Sequence, residues 1–267
     1  MQTCWALLRE TRRYVSLGPF KMASLERRHA SKATLAPLTH SQQVRIWDAR
    51  TSKCVQAIET RGENINIRWS PDGQHIAVGD KEDNISLIET RKGKALKNIK
   101  FPHEVNEMAW DHSGRLFFLT TGSGAVNVFR CALEAFHPIR LSQSYCNQEM
   151  LQRPSPDFAA LVCRYSDVLT PGELEPALTL VGHTANCYCI EFDPSGDHFA
   201  VGGADALVSL WNTKELVCVA TFSNLEWPVR TISFSCDSAY IASGSEDPLV
   251  DVSHVQTGKQ AYAIPCK

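Results

Sequence analysis

Cys187-Tyr-Cys-Ile-Glu-Phe-Asp-Pro-Ser-Gly196 runs a short apolar strand into a tight turn, and His198-Phe-Ala-Val-Gly202 follows as a second strand ending in small residues. Three other stretches have the same order. They are Ile65-Asn-Ile-Arg-Trp-Ser-Pro-Asp-Gly73 before His75-Ile-Ala-Val-Gly79, Val105-Asn-Glu-Met-Ala-Trp-Asp-His-Ser-Gly114 before Leu116-Phe-Phe-Leu-Thr120, and Val229-Arg-Thr-Ile-Ser-Phe-Ser-Cys-Asp-Ser238 before Tyr240-Ile-Ala-Ser-Gly244. Gly73 to Gly114 spans 41 residues, Gly114 to Gly196 spans 82 and Gly196 to Ser238 spans 42, so one period near 41 governs the chain. Apolar alternation bounded by Gly, Pro, Asp and Ser is the mark of short strands joined by tight turns.

Two more strands complete each unit. Third strands are expected at Ile85–Ile88, Val126–Phe129, Val208–Trp211 and Val250–Val252, and fourth strands near Leu96–Phe101, Ala177–Val181, Cys218–Phe222 and Ala261–Pro265. A repeat of roughly 40 to 45 residues with four strands is the pattern of a WD40 β-propeller blade. Val44-Arg-Ile-Trp-Asp-Ala-Arg50 reads as a further third strand and Cys54-Val-Gln-Ala-Ile58 as its fourth, with no first or second strand recognised before them. The expected architecture is therefore all-β, an incomplete WD40 β-propeller of about four repeats plus a half blade spanning residues 43–267.

Two segments fall outside the pattern. Residues 1–42 show no repeat and read as a basic extension without regular structure; an organellar transit peptide or a basic arm aiding nuclear import or polyanion binding are the other readings. Residues 131–167 read as an insertion, because a long structureless loop is uncommon inside a compact domain. A degenerate blade is the alternative, on the faint turn and strand at Ser155-Pro-Asp-Phe-Ala-Ala-Leu-Val162.

With 267 residues, 43% hydrophobic and 21% charged, the composition is that of an ordinary globular domain. No apolar run approaches the roughly 18 residues of a membrane-spanning helix. Ten cysteines are too few for a disulfide-stapled scaffold and fit a reducing compartment better. Residues 1–40 carry seven Lys/Arg against Glu10 and Glu26, so the net charge of -2 leaves -7 on the remainder. Since neutralising phosphates drives most nucleic-acid affinity, an acidic repeat domain is expected to reach RNA only through a partner.

The fullest repeat contains Gly182-His183, Ala204-Asp205 and Leu210-Trp211-Asn212. A buried imidazole and indole need hydrogen-bond partners, so His183, Asp205 and Trp211 are expected to bond in series as a structural device. Elsewhere Asp83 and Asp247 are placed at the equivalent turn, while Ile88 and Ser253 take the Trp position. His183, Cys187 and Cys189 lack the paired spacing of a zinc site, and core packing is the better account of the two cysteines. Gly122-Ser-Gly124 is a turn with no helix after it to receive a phosphate. No Gly-x-Ser-x-Gly, His-Glu-x-x-His or paired Cys-x-x-Cys motif occurs, and a protein that is not an enzyme, without cofactor, metal or small-molecule substrate, is expected. Glu226-Trp-Pro-Val-Arg230 stands out, because Trp followed by Pro is poorly placed inside a blade. Glu226, Trp227 and Arg230 are candidate docking residues, of types enriched in binding hot spots, with packing against a neighbouring blade as the alternative for Trp227.

One family is resembled in particular, the WD40 subunit of the THO complex, which works within the TREX assembly. The resemblance lies in Val44–Arg50, Gly62-Glu-Asn-Ile-Asn-Ile67, Ser70-Pro-Asp-Gly73, Glu104-Val-Asn-Glu107, Phe117–Thr121, Ala204–Trp211 and Glu226-Trp-Pro-Val-Arg-Thr-Ile-Ser-Phe234. It implies a nuclear, non-catalytic scaffold that contacts other THO/TREX subunits, meets mRNA indirectly and serves mRNA processing and export. A generic WD40 adaptor or substrate receptor of a ubiquitin ligase or chromatin complex is the alternative. Family members carry about seven repeats, some before the position of Val44 and one after Lys267, and lack the stretch 131–167. The expected consequence is an open or distorted fan with exposed apolar faces, marginal in stability and prone to aggregate.

Overall fold

The computed structural model describes residues 5–8, 13–17, 42–132 and 173–266. Among them, twenty strands form five four-stranded antiparallel sheets. The chain divides into two compact units, Met1–Phe101 and Pro102–Lys267. In the first unit, β1 (Trp5–Leu8), β2 (Arg13–Leu17), β3 (Gln43–Asp48) and β4 (Lys53–Glu59) make one sheet, and β5 (Asn64–Trp69), β6 (His75–Asp80), β7 (Asn84–Glu89) and β8 (Lys94–Lys100) make another. The second unit holds β9 (Val105–Trp110), β10 (Leu116–Thr121), β11 (Ala125–Ala132) and β12 (Glu173–Val181), then β13 (Cys187–Phe192), β14 (His198–Gly203), β15 (Val208–Asn212) and β16 (Val217–Phe222), then β17 (Thr231–Phe234), β18 (Tyr240–Gly244), β19 (Leu249–His254) and β20 (Gln260–Pro265). Each sheet is a meander in which chain neighbours pair, the form of a WD40 blade.

The quoted turns explain the pairing. Gly73, Gly114 and Gly196 take left-handed φ values of 67°, 71° and 78°, which glycine adopts without steric cost. Ser238 fills the same role in the last sheet at φ 58°. The preceding side chains cap the turn: Asp111 accepts from the Leu116 N–H at 2.8 Å, Asp193 from the His198 N–H at 3.0 Å, and the Ser235 hydroxyl from the Tyr240 N–H at 2.9 Å. Asp and Ser recur there because their short side chains satisfy backbone donors that the turn leaves unpaired.

The first sheet departs from the half-blade expectation. Trp5–Leu8 and Arg13–Leu17 pair with each other, and β2 pairs with β3 in register Val15↔Ile46 and Leu17↔Val44, so this blade also has four strands. The 1–42 segment is thus not wholly an extension without regular structure. In the other blades three or four residues separate the second strand from the third, whereas Leu17 and Gln43 lie far apart in sequence. That spacing places the first two strands outside the 41-residue period.

The start expected for the insertion, Cys131, lies within a strand. Cys131 and Ala132 belong to β11, where they pair with Leu174 and Glu173 of β12. Residues 133–172 therefore join the third and fourth strands of one sheet, and β11 finds its partner directly in β12. The Ser155–Val162 stretch lies outside the described residues. Pro176 sits in the outermost strand beside a register shift at Val128/Phe129, which is where a sheet tolerates a residue without an N–H.

The cores lie between successive blades. In the first unit Val44, Ile46 and Ile58 pack with Ile67, Ile76, Val78 and Ile88. In the second, Phe118, Val126, Val128 and Leu180 of the β9–β12 sheet pack with Ile190, Phe199, Val201 and Trp211 of the next. Val208, Leu210, Ala200 and Phe222 then turn the other face of the β13–β16 sheet toward Leu225, Val229, Ile232 and Ile241. A strand buried on both faces loses the usual alternation of apolar and polar residues, which is why β10 begins with the continuous apolar run Leu116–Leu119.

Among the described residues, the last sheet has only one face covered in this way. Ile264 pairs with Val250 as Phe222 pairs with Val208, yet Phe222 is 4% exposed and Ile264 is 51% exposed. Val250 and Val252 are half-buried where Val208 and Leu210 are buried, and Tyr262 is exposed.

Candidate functional site

His183 sits between β12 and β13, Asp205 in the turn between β14 and β15, and Trp211 near the end of β15. Alternation along β15 sends Val208 and Leu210 to one core and Trp211 to the other, with Ser209 on the Trp211 side. The structure brings the three expected residues together through that fourth member. The Trp211 Nε1–H donates to Ser209 Oγ at 2.8 Å, Ser209 Oγ lies 2.7 Å from His183 Nε2, and His183 Nδ1 lies 2.9 Å from Asp205 Oδ1. A neutral imidazole protonated at Nδ1 satisfies every link: it donates to Asp205 and accepts from the Ser209 hydroxyl. Sequence reasoning missed Ser209; the signal was its position two residues before Trp211 on a strand, which puts both on one face.

Asp205 also accepts from the Thr184 N–H at 3.0 Å and the Leu207 N–H at 3.3 Å, so one carboxylate ties the turn to the loop before β13. Burial alone would raise this carboxyl. The hydrogen bonds from His183 and the two N–H groups outweigh it and hold the group below its ordinary value. Two glycines make room. A Cβ on Gly182 would lie 2.5 Å from the Trp211 ring, and one on Gly203 would lie 2.6 Å from both Asp205 Oδ1 and His183 Nδ1.

The other sheets fill the same places differently. Gly79 pairs with Ile85 as Gly202 pairs with Val208, which sets Asp83 opposite Ala206 instead of Asp205. Asp83 takes the left-handed φ of 60° that Ala206 has at 63°, and Asp80 supplies the carboxylate, accepting from the Glu82 and Asn84 N–H groups at 2.9 and 3.0 Å. The expectation for Asp83 is corrected by one residue, a shift that turn composition does not reveal. Ile88, at the Trp position, joins an apolar core. Ser253 instead donates to the buried Asp251 at 2.8 Å and accepts from Asn224, while Gln260 donates to the other Asp251 oxygen at 2.8 Å.

Cys187 and Cys189 are both buried, but not on one face. A register shift between them pairs Cys187 with Gly203 and Cys189 with Gly202, and they enter different cores. Residues two apart on a regular strand share a face, but here a β-bulge inserts a residue between the two. Burial pushes each thiol up to about 12.

The segment Glu226–Arg230 joins β16 to β17. Leu225 and Val229 are buried, and the Glu226 and Trp227 N–H groups both donate to Asp247 Oδ2, at 3.0 and 3.1 Å. Trp227 is nonetheless 54% exposed. The Arg230 guanidinium lies 4.4 Å above the Tyr188 ring and 3.6 Å from Glu246. Glu226, Trp227 and Arg230 are thus brought to one surface, and Asp247, Tyr188 and Glu246 are the members that sequence reasoning did not assign to it.

Five meander sheets with a His–Ser–Trp–Asp network define a WD40-repeat protein. Residues 174–212 and 216–250 match the family described as WD domain, G-beta repeat, and residues 41–113 match the Anaphase-promoting complex subunit 4 WD40 domain. The chain is a homologue of THO complex subunit 3 of Arabidopsis thaliana, 44% identical over 233 residues, 87% of this chain and 61% of that protein. It is also similar to WD repeat-containing protein AAC3 of Dictyostelium discoideum, 33% identical over 204 residues, 76% of this chain and 35% of that protein. Pre-mRNA-splicing factor cwf17 of Schizosaccharomyces pombe is 29% identical over 108 residues, 40% of this chain and 32% of that protein. The chain therefore spans less than two thirds of the length of each of these relatives.

Proposed function

We propose that this chain is a non-enzymatic WD40 scaffold of a THO-type assembly, acting in the nucleus in co-transcriptional mRNA processing and export. The observation that carries the reading is the 44% identity to THO complex subunit 3 over 87% of this chain. Its chemistry is that of contact. The buried His183, Ser209 and Trp211, with the half-buried Asp205, hold a blade in shape, and Glu226, Trp227 and Arg230 present side chains to other THO/TREX subunits. Messenger RNA is reached through those subunits, since the -7 charge of residues 41–267 repels a polyanion.

Affinity purification of the tagged chain from nuclear extract tests the proposal. Co-purification of the other THO subunits is expected, and their absence sinks it. The match of residues 41–113 to an anaphase-promoting complex subunit's WD40 domain favours a second reading, an adaptor of a ubiquitin ligase. Recovery of ligase subunits in place of THO subunits selects that reading.

A further inference from the structure

We infer that the Trp227 surface receives a protein segment carrying lysine or arginine, with the cation against the indole and the Glu226 and Glu246 carboxylates beside it. The inference rests on the docking reading of this loop and adds the chemistry of the occupant.

The exposure of Trp227 does not come from a loose loop. Leu225 and Val229 anchor the segment in the core on either side, Pro228 fixes its own φ, and Asp247 binds two successive N–H groups. Asp247 is itself held by the Ser245 hydroxyl at 2.6 Å. A large indole held out from a rigid backbone loses little further entropy on binding, which is what makes such a residue an anchor.

The charges around it choose the occupant. Arg230 is already matched, with Tyr188 beneath its guanidinium and Glu246 beside it. Glu226 is exposed and makes no ion pair among the described residues, so the segment retains a surplus of negative charge next in sequence to the exposed Trp227. A cation within roughly 6 Å of an indole face is attracted by the ring quadrupole, and nearby carboxylates add to that attraction. A phosphorylated or acidic segment would have to displace Glu246 from Arg230 and approach Glu226 against like charge.

The test places benzoylphenylalanine at the exposed position 223, four residues before the intact Trp227, in the full tagged chain in cells and sequences the peptide crosslinked after irradiation. The expected peptide carries Lys or Arg within a few residues of the crosslink, and the double reversal Glu226→Lys with Glu246→Lys lowers its yield about tenfold. Both glutamates are exposed, so the melting temperature of the double variant is expected to stay unchanged, and a melt run alongside checks this. An acidic or phosphorylated peptide, crosslinked RNA, or a basic peptide whose yield ignores the reversal overturns the inference. No crosslinked protein at position 223 overturns the docking reading with it. A charge-sensitive basic peptide obtained without THO subunits leaves the inference standing and sinks the assignment to a THO assembly.

Discussion

Phe222 and Ile264 occupy the same place in the fourth strands of successive sheets, and one is 4% exposed while the other is 51% exposed. The difference measures what the next sheet does. Phe222 closes a core with Leu225, Val229, Ile232 and Ile241, whereas Ile264, Val250, Val252 and Tyr262 leave a partly open apolar face. Phe222→Ala is expected to destabilise the second unit by about 3 to 5 kcal/mol, the usual cost of emptying a buried aromatic site. Ile264→Lys is expected to leave stability within about 0.5 kcal/mol and to reduce self-association. Thermal melts and sedimentation velocity of both variants check this; equal destabilisation by the two would contradict the assignment.

Ser209 links two rings that otherwise have no common partner. Ser209→Ala leaves the buried Trp211 N–H and His183 Nε2 without their hydrogen bonds, at an expected cost of about 1 to 3 kcal/mol. Urea denaturation followed by Trp fluorescence reads it. A loss below a few tenths would mean that the network contributes shape and no stability.

Gly203 has no room for a side chain, since a Cβ would stand 2.6 Å from both Asp205 and His183. Gly203→Ala is expected to weaken the fold by an amount comparable to His183→Ala, and the double variant by less than the sum, because both break the same bonds. A double-mutant cycle on melting temperature decides; additive losses would place the two residues in separate interactions.

Acid should loosen the fold in a defined window. Hydrogen bonds from His183 and backbone N–H groups overcome burial at Asp205 and lower its folded-state pKa; at Asp72 the His75 ring 3.7 Å away, with hydrogen bonds from the Ser70 hydroxyl and the Gln74 N–H, overcomes burial and takes the carboxyl to about 2. A carboxyl with a lowered folded pKa stabilises above its unfolded value near 3.8, and that stabilisation is lost as pH falls through the folded value. Melting temperatures are therefore expected to hold down to about pH 5 and to fall below about pH 4. Asp205→Asn should flatten part of that fall; an unchanged slope would refute the assignment.

Thiol labelling distinguishes core cysteines from surface ones. Cys187 and Cys189, each pushed up to about 12 by burial, are expected to resist iodoacetamide at pH 8 in the folded chain. Cys54, Cys218, Cys236 and Cys266 are exposed and are expected to react. Peptide mass spectrometry after a brief pulse reads each site, and fast labelling of Cys187 would contradict its place in the core.

What the amino-acid sequence determined by itself was everything that repeats locally. Turns at Gly73, Gly114, Gly196 and Ser238 need particular residues at particular φ values, and strands between them need alternating or continuous apolar side chains, so a 41-residue period was enough to define the blade. His183, Asp205 and Trp211 were legible for the same reason, as residues of unmistakable type at fixed places in the unit. Tertiary structure decided what depends on partners distant in the chain. It paired Val15 with Ile46 across a long separation, joined β11 to β12 over residues 133–172, and separated Cys187 from Cys189 by a bulge. It also put Ser209 between two rings and turned Trp227 outward over a loop anchored by Leu225 and Val229. Strand pairing and burial are set by the free energy of contacts between distant segments, and a local pattern carries the capacity for those contacts without specifying which of them form.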